Sequence, residues 1–289
     1  MEEQVYLNGI TVPLSEALIP VDDRAVLYGD SCFETLRSYG GRPFLLDRHI
    51  ERLAVSCSAL RLALPMEKKE IAEAVMSLLE ENGLDRGPDA SIRITVTGGP
   101  SAGPKGLFRP NPTGIFILAR PYQPPPAEHY RKGVSVVVSG IRRNPSSPLS
   151  MIKSGNYLDS LLARQEALDR GADDAILLTC QGNLSEATGS NLFAVRRGEV
   201  LTPDLGCGFL PGITREVVIE LCLEAGIPVR AVTRDHRLLS ESEEIFLTNS
   251  LIEVMPVRRA GSRLLKPCPG SLTIRLMDAY REMVSRETR

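Results

Sequence analysis

The stretch Met151-Ile152-Lys153-Ser154-Gly155-Asn156-Tyr157, followed by Leu184-Ser185-Glu186, decides how the rest of the chain is read. A lysine stands just ahead of a helical segment at residues 157 to 170. One strand later a glutamate lies in a bend rich in Gly and Asn. The two residues offer an amine and a carboxylate on neighbouring loops. Such an amine can join an aldehyde as a Schiff base, and an acid beside a ring nitrogen keeps that ring protonated and electron-withdrawing. The pair therefore suits pyridoxal phosphate. Taken alone, Lys153 fits a solvated surface charge better, as most lysines are.

Working outward, 289 residues fit two domains of ordinary size. The 34 Lys and Arg against 36 Asp and Glu leave a net charge of −2, so no global field recruits nucleic acid or an anionic membrane. No basic run with interleaved aromatics points to nucleic acid either. Six scattered cysteines (Cys32, Cys57, Cys180, Cys207, Cys222, Cys268) and three distant histidines (His49, His129, His236) form neither a disulfide framework nor a metal-ligand pattern. Met1-Glu2-Glu3-Gln4 lacks the basic and apolar regions of a signal peptide, and no apolar run approaches spanning length. A cytoplasmic protein that binds neither membrane nor nucleic acid is expected.

The first half reads as an α+β unit over residues 1–120. Val5 to Gly9 is a short strand, and Ala25 to Asp30 leads into a second, Cys32 to Tyr39. Gly40-Gly41 then turns the chain into Pro43 to Leu46. Asp47 is the expected N-cap of a helix carrying Ile50, Leu53 and Cys57, and a second helix spans about 68 to 81. Residues 91–97 and 114–119 alternate as strands. Pro121-Tyr122-Gln123-Pro124-Pro125-Pro126 begins an extended linker placed at 121–131. The second domain, 132–289, opens on the strand 133–138 and a polar loop from Arg142 to Ser150. Its first helix presents Leu158, Leu161, Leu162 and Ala167 to a core, with strands at 174–178, 191–195 and 244–250 and a last helix over about 272 to 284.

Gly212-Ile213-Thr214, just before a helix reaching Ala225, leaves unpaired N–H groups at the positive end of a dipole beside a hydroxyl. The same turn also suits an ordinary helix start. Ser250 and the Leu251 N–H, at a strand end, form a second candidate anion contact, and Arg52 could supply a fixed charge.

In order and spacing these blocks resemble the class IV, or fold type IV, pyridoxal phosphate enzymes: branched-chain aminotransferases, D-amino acid aminotransferases and aminodeoxychorismate lyases. The resemblance runs from about Tyr6 to Val257. It rests on Tyr28-Gly29-Asp30-Ser31-Cys32-Phe33-Glu34, His49-Ile50-Glu51-Arg52-Leu53, Ile152-Lys153-Ser154, Ser185 to Phe193, Leu210 to Arg215, and Thr248-Asn249-Ser250 before Pro256-Val257. It implies a two-domain α+β / α/β fold, with a smaller N-terminal α+β domain and a larger C-terminal domain built on a barrel-like β core flanked by helices. It also implies a homodimer and pyridoxal 5'-phosphate as cofactor. By resemblance Lys153 is the Schiff-base lysine, Glu186 the ring-nitrogen partner and Arg52 the phosphate arginine. Ile213 and Thr214 start the phosphate-binding helix, Ser250 and Leu251 make a second phosphate contact, and Leu210 packs on the ring face. Tyr157 lies near the tyrosine that bonds the cofactor's phenolic oxygen, one residue closer to the lysine than in some branched-chain enzymes.

Substrate markers are mixed. Arg93 falls where branched-chain enzymes place an arginine for the substrate carboxylate, with Tyr28 and Phe33 nearby in the family pattern. As a residue alone, Arg93 also suits a strand-face ion pair. Thr97-Gly98-Gly99 lacks the arginine of D-amino acid aminotransferases, whereas Thr35 and the Asn249 to Val257 segment look more like the lyases. Transamination of an aliphatic or branched-chain L-amino acid with a 2-oxo acid is the leading expectation, and transamination of a D-amino acid ranks last. The alternative is a lyase releasing pyruvate and 4-aminobenzoate.

Overall fold

The computed structural model describes residues 2–101 and 112–288, and the chain divides into two compact units. One runs to Gln123 and adds Ile152–Asn156 and the chain end from Glu287. The other comprises Pro124–Met151 and Tyr157–Arg286. The lysine segment is therefore packed with the first unit, and Glu186 belongs to the second.

In the first unit, strands β1 (Gln4–Leu7), β2 (Ile10–Pro13), β3 (Ser31–Tyr39), β4 (Arg42–Pro43), β5 (Ala90–Thr97) and β6 (Gly114–Pro121) form a sheet of order β2-β1-β6-β5-β3-β4. Every neighbouring pair is antiparallel. Period-2 alternation divides the central strands. Cys32, Leu36, Ile92, Ile94 and Val96 join the core beneath helices α2 (Leu46–Leu60) and α3 (Lys68–Glu81), while Phe33, Thr35, Arg93 and Thr95 take the opposite face. Each buried Ile or Leu there contributes roughly 1.5–3 kcal/mol. Gly41, at φ +86, is required by its surroundings, because a Cβ would stand 1.8 Å from the Asp85 carbonyl oxygen.

Three local readings change in this unit. Residues 24–28, expected to lead directly into a strand, form helix α1 (Arg24–Tyr28), because the Asp23 carboxylate accepts from Ala25 N at 2.7 Å. Leu45, in left-handed conformation, replaces Asp47 as the cap of α2, and Asp47 falls in the first turn, where its charge suits the helix dipole. The hairpin's return strand is only Arg42–Pro43, since α2 begins immediately after the turn of the chain at Leu45.

The second unit runs α4 (Ala127–Lys132), β7 (Val134–Arg143), α5 (Leu158–Asp169), β8 (Asp174–Thr179), β9 (Leu184–Ala187), β10 (Asn191–Arg196), β11 (Glu199–Pro203), α6 (Ile213–Glu224), β12 (Val229–Val232), α7 (Arg237–Glu241), β13 (Glu244–Asn249), β14 (Glu253–Ala260), β15 (Arg263–Leu264) and α8 (Ser271–Glu287). Its mixed nine-stranded sheet has the order β12-β11-β10-β13-β14-β7-β8-β9, with β15 on β14. Strand β9, at one end of that path, also lies against β10 and β11 near the other, so the sheet curls into a half-barrel. Val136, Ile176, Leu178, Leu192, Leu247 and Met255 fill the concave core, whereas Val137, Ala175 and Leu177 on the other face receive α5.

Three expectations are corrected here. Leu158, Leu161 and Leu162 are exposed, and α5 packs through the expected Ala167 together with Ser160 and Ala163, whose small side chains bring the helix close to the sheet. Glu186 sits on strand β9 between the turn at 180–182 and the bend at 188–190, not within a bend. Helix α4 occupies part of the stretch read as extended linker, starting directly after Pro126.

Candidate active site

Backbone bonds fix the lysine in the first unit. Phe33 N donates to the Lys153 carbonyl at 2.9 Å and Gly155 N donates to the Ser31 carbonyl at 2.8 Å, so residues 153–155 run as an extra edge along the start of β3. A Cβ at 155 would meet Ser31 Oγ at 2.2 Å, so a larger residue there requires that hydroxyl to turn aside. The Lys153 ammonium then lies 4.6 Å from the centre of the Phe33 ring, and the Arg93 guanidinium lies 3.6 Å from the same centre. Two cations share one aromatic ring, an arrangement that favours an incoming anion. Thr35 is the cross-strand partner of Arg93, and Thr95 that of Phe33. The Thr95 hydroxyl is buried without a hydrogen-bond partner among the described residues. Tyr28 ends α1, half exposed, with the Arg24 guanidinium 5.1 Å from its ring centre.

Arg52 is held from below. Its Nε donates to Glu34 Oε1 at 2.8 Å and its Nη2 to Oε2 at 2.7 Å, while His49 Nδ1 stands 2.7 Å from Oε2. His49 and Arg52 are three apart on α2 and so share a face above Glu34. Burial alone would raise the Glu34 carboxyl, but the Arg52 charge and hydrogen bonds, aided by His49, bring it down to about 2. Burial pushes the His49 imidazole down, against the pull of Glu34, and the charges of Arg52 and Lys153 push the same way as burial. The result is a fixed Arg52 charge beside a neutral imidazole at pH 7.

In the second unit, Arg143 at the end of β7 forms an ion pair with Glu186, which is 5% exposed. The Arg143 Nε is buried and has no partner among the described residues. The Tyr157 hydroxyl lies 3.5 Å from where a Gly189 Cβ would stand, placing it beside the bend that follows Glu186. Asn249 braces the same bend, donating from Nδ2 to the Gly189 carbonyl at 2.8 Å. Its Oδ1 accepts from Leu251 N and Ile252 N, both at 2.9 Å. The Leu251 N–H therefore already has an acceptor, which an anion at Ser250 would have to replace.

Helix α6 starts at Ile213 with Gly212 as N-cap and no capping side chain, so its first amides are left to another acceptor. Ile213 and Thr214 are buried. Asn191 fixes the approach to the helix: Nδ2 donates to the Leu210 carbonyl at 2.9 Å, and its Oδ1 would stand 1.9 Å from a Cβ on Gly212. The first unit thus presents a fixed arginine and an amine, and the second an open helix start and a paired acid.

Five residues of this framework escaped the sequence reading as site members: Glu34, His49, Arg143, Asn191 and Asn249. For His49 the signal was available, namely its three-residue spacing from Arg52. For Arg143 none was, because pairing it with Glu186 requires the register of the curled sheet. Among the described residues, no group of three or more His, Cys, Asp or Glu could hold a metal ion. No helix there is long and apolar enough to cross a membrane.

The family described as amino-transferase class IV matches residues 31–260. The chain belongs to the class IV aminotransferases. A protein of Methanocaldococcus jannaschii with a provisional branched-chain-amino-acid aminotransferase name is 36% identical over 285 residues, covering 97% of this chain and 96% of that protein. An aminodeoxychorismate lyase of Bacillus subtilis is 31% identical over 255 residues, covering 87% and 85%. Among solved structures, the Escherichia coli branched-chain amino acid aminotransferase superposes with a TM-score of 0.93 at 30% identity, covering 100% of this chain and 97% of that one. The branched-chain amino acid aminotransferase of Thermobaculum terrenum, in its PLP-form, gives 0.88 at 30% identity, covering 99% and 95%. This class IV aminotransferase thus has the fold type IV architecture.

Proposed function

We propose that the protein transfers the amino group of an aliphatic, branched-chain L-amino acid to a 2-oxo acid, with pyridoxal 5'-phosphate bound through Lys153. The observation that carries this reading is the shared ring. Lys153 Nζ and the Arg93 guanidinium lie 4.6 and 3.6 Å from the centre of Phe33. In an α-amino acid the carbon that loses its proton is bonded directly to the carboxylate, so an amine that moves that proton must work beside a cation that holds the carboxylate. Bound pyridoxal phosphate supplies an aldehyde that condenses with amines and a ring that withdraws the electrons left when the α-proton departs. Lys153 Nζ takes that proton and returns it, while Arg93 orients the carboxylate. Glu186, paired with Arg143, would hold the proton on the ring nitrogen. Arg52, the Ile213 and Thr214 amides and Ser250 would hold the phosphate. Tyr157 would bond the phenolic oxygen and Leu210 would pack on the ring, with Tyr28, Phe33 and Thr35 on the substrate side.

Aminodeoxychorismate lysis is the second reading. Thr35 favours it, standing directly across from Arg93 at a position where branched-chain enzymes usually have glycine. The 31% identity to the Bacillus subtilis lyase favours it too. Lys153 would serve in the same way, with pyruvate leaving in place of an exchanged amino group.

We further assign a homodimer in the cytoplasm. Leu158, Leu161 and Leu162 form a stripe at i, i+3 and i+4 on α5 and are 65%, 59% and 52% exposed, an apolar surface suited to a second copy. The scattered free cysteines suit a reducing compartment.

The test is to purify the protein and follow 2-oxo acid formation from L-leucine, D-alanine and L-glutamate beside pyruvate release from aminodeoxychorismate. Turnover of L-leucine supports transamination, and pyruvate from the last substrate alone overturns it. Lys153→Ala should fold, because the Phe33 bond uses the Lys153 carbonyl. It should also lose both turnover and the borohydride-sensitive absorbance near the visible edge; retained turnover would refute the assignment of Lys153.

A further inference from the structure

Arg215 is the third residue of α6 and is 7% exposed. Among the described residues its polar contacts are neutral: Nε donates to Thr202 Oγ1 at 3.2 Å and Nη2 to the Pro203 carbonyl at 3.0 Å, with the Phe209 ring 4.9 Å from the guanidinium carbon. Asp204 and Glu216 are the acids whose charge reaches it, and each acts through space without a hydrogen bond to the guanidinium. Burial pushes the guanidinium downward from its ordinary range, the direction expected of a cation without a counter-ion.

The placement is unfavourable twice over. A helix carries partial positive charge at its start, so a cation in the first turn is repelled by the dipole. A buried charge whose nearest acids, Asp204 and Glu216, act only through space also recovers just part of its lost hydration. A positive helix end and a buried guanidinium thus add in sign beside the uncapped Gly212–Thr214 turn. A surface arginine there would relax into water, but this one is fixed to β11 by two hydrogen bonds.

We propose that Arg215 is a positioning residue for the cofactor's phosphate: its buried charge, hydrogen-bonded only to neutral groups, makes the start of α6 selective for a doubly charged anion. The inference rests on the cofactor reading given above. Arg215 differs from the groups assigned to hold the phosphate: its own hydrogen bonds go to β11, and it acts through the field at the helix start. The competing account is purely structural, with Arg215 fastening α6 to β11.

The two accounts differ in what they predict for a neutral side chain of similar length. With Arg215→Met, the apoprotein should melt at the same temperature or higher, and the rise in melting temperature on replacing chloride by inorganic phosphate at equal ionic strength should at least halve. The dissociation constant for pyridoxal phosphate should increase about tenfold, while that for pyridoxal, which lacks the phosphate, stays within about twofold. Arg215→Lys keeps a charge without the planar fork and should retain the preference for the phosphorylated aldehyde. Equal loss of affinity for both aldehydes in Arg215→Met, or an unchanged phosphate response, overturns the proposal. If Arg215→Met does not fold, Arg215→Lys decides, and loss of its phosphate preference is the overturning result. Wild-type protein that binds neither aldehyde defeats the cofactor reading and this inference together. Wild-type binding with an unaffected Arg215→Met variant defeats this inference alone.

Discussion

Glu34 grips Arg52 with both carboxylate oxygens, Nε to Oε1 at 2.8 Å and Nη2 to Oε2 at 2.7 Å, while itself being wholly buried. Such a fork fixes the direction of the guanidinium as well as its position. Glu34→Gln keeps the shape but removes the negative charge that faces Arg52 and His49. Breaking a buried pair in this way costs about 3 kcal/mol or more. Urea unfolding should show that loss, and titration of the apoprotein with pyridoxal phosphate should show at least severalfold weaker binding. Unchanged affinity would mean that Arg52 does not need Glu34 to find the phosphate.

The same cluster sets how the protein responds to acid. Glu34 falls from an ordinary 4.5 to about 2 on folding, so its stabilisation is complete above about 4.5 and is lost as pH falls towards 2, amounting to about 3 kcal/mol. His49 is also lowered on folding, so the unfolded chain takes its proton first, and stability already declines below about pH 6.5. Denaturant midpoints should therefore drop from pH 7 to 4.5 and more steeply below it. In Glu34→Gln the lower segment should flatten. An equally steep fall in that variant would place the acid sensitivity elsewhere.

At Gly212 the constraint is steric rather than conformational, since its φ of −79 suits any residue. A methyl group there would stand 1.9 Å from Asn191 Oδ1, so Gly212→Ala must displace the amide that holds the Leu210 carbonyl. The expected cost is about 1–3 kcal/mol, together with weaker phosphate binding. Because one contact carries the effect, Gly212→Ala and Asn191→Ala should be non-additive in a double-mutant cycle. Additive losses would show that the Asn191 contact is not what excludes the methyl group.

Local pattern made much of this legible and left a definable remainder. The alternation of Ile92, Ile94 and Val96 and the 3.6 period of Ile50, Leu53 and Cys57 identified β5 and α2, because burial on one face writes itself into sequence. The α5 leucines misled for the same reason. A helix between a sheet and an exposed face has two candidate stripes, and packing chose the smaller side chains, Ser160, Ala163 and Ala167. The family blocks singled out Lys153 and Glu186, but not the residues that hold such groups in place. Glu34 lies fifteen residues from His49, and Arg143 lies forty-three from Glu186. Those pairings exist only once strand register is set, and nothing local encodes them.

The leucines turned outward on α5 carry the last expectation. Leu158, Leu161 and Leu162 expose more than half of their surface, and nothing within their own unit covers them. Side chains of this kind leave water when a second copy packs on them, gaining roughly 25 cal/mol for each Å² of apolar surface removed. Leu161→Glu puts a charge at the centre of that stripe while remaining compatible with an exposed helix position, so the isolated fold should be little affected. Sedimentation velocity should show the wild-type chain as a dimer and the variant shifted towards monomer, with circular dichroism unchanged. A wild-type monomer, or a variant that dimerises as strongly as the parent, would remove α5 from the interface.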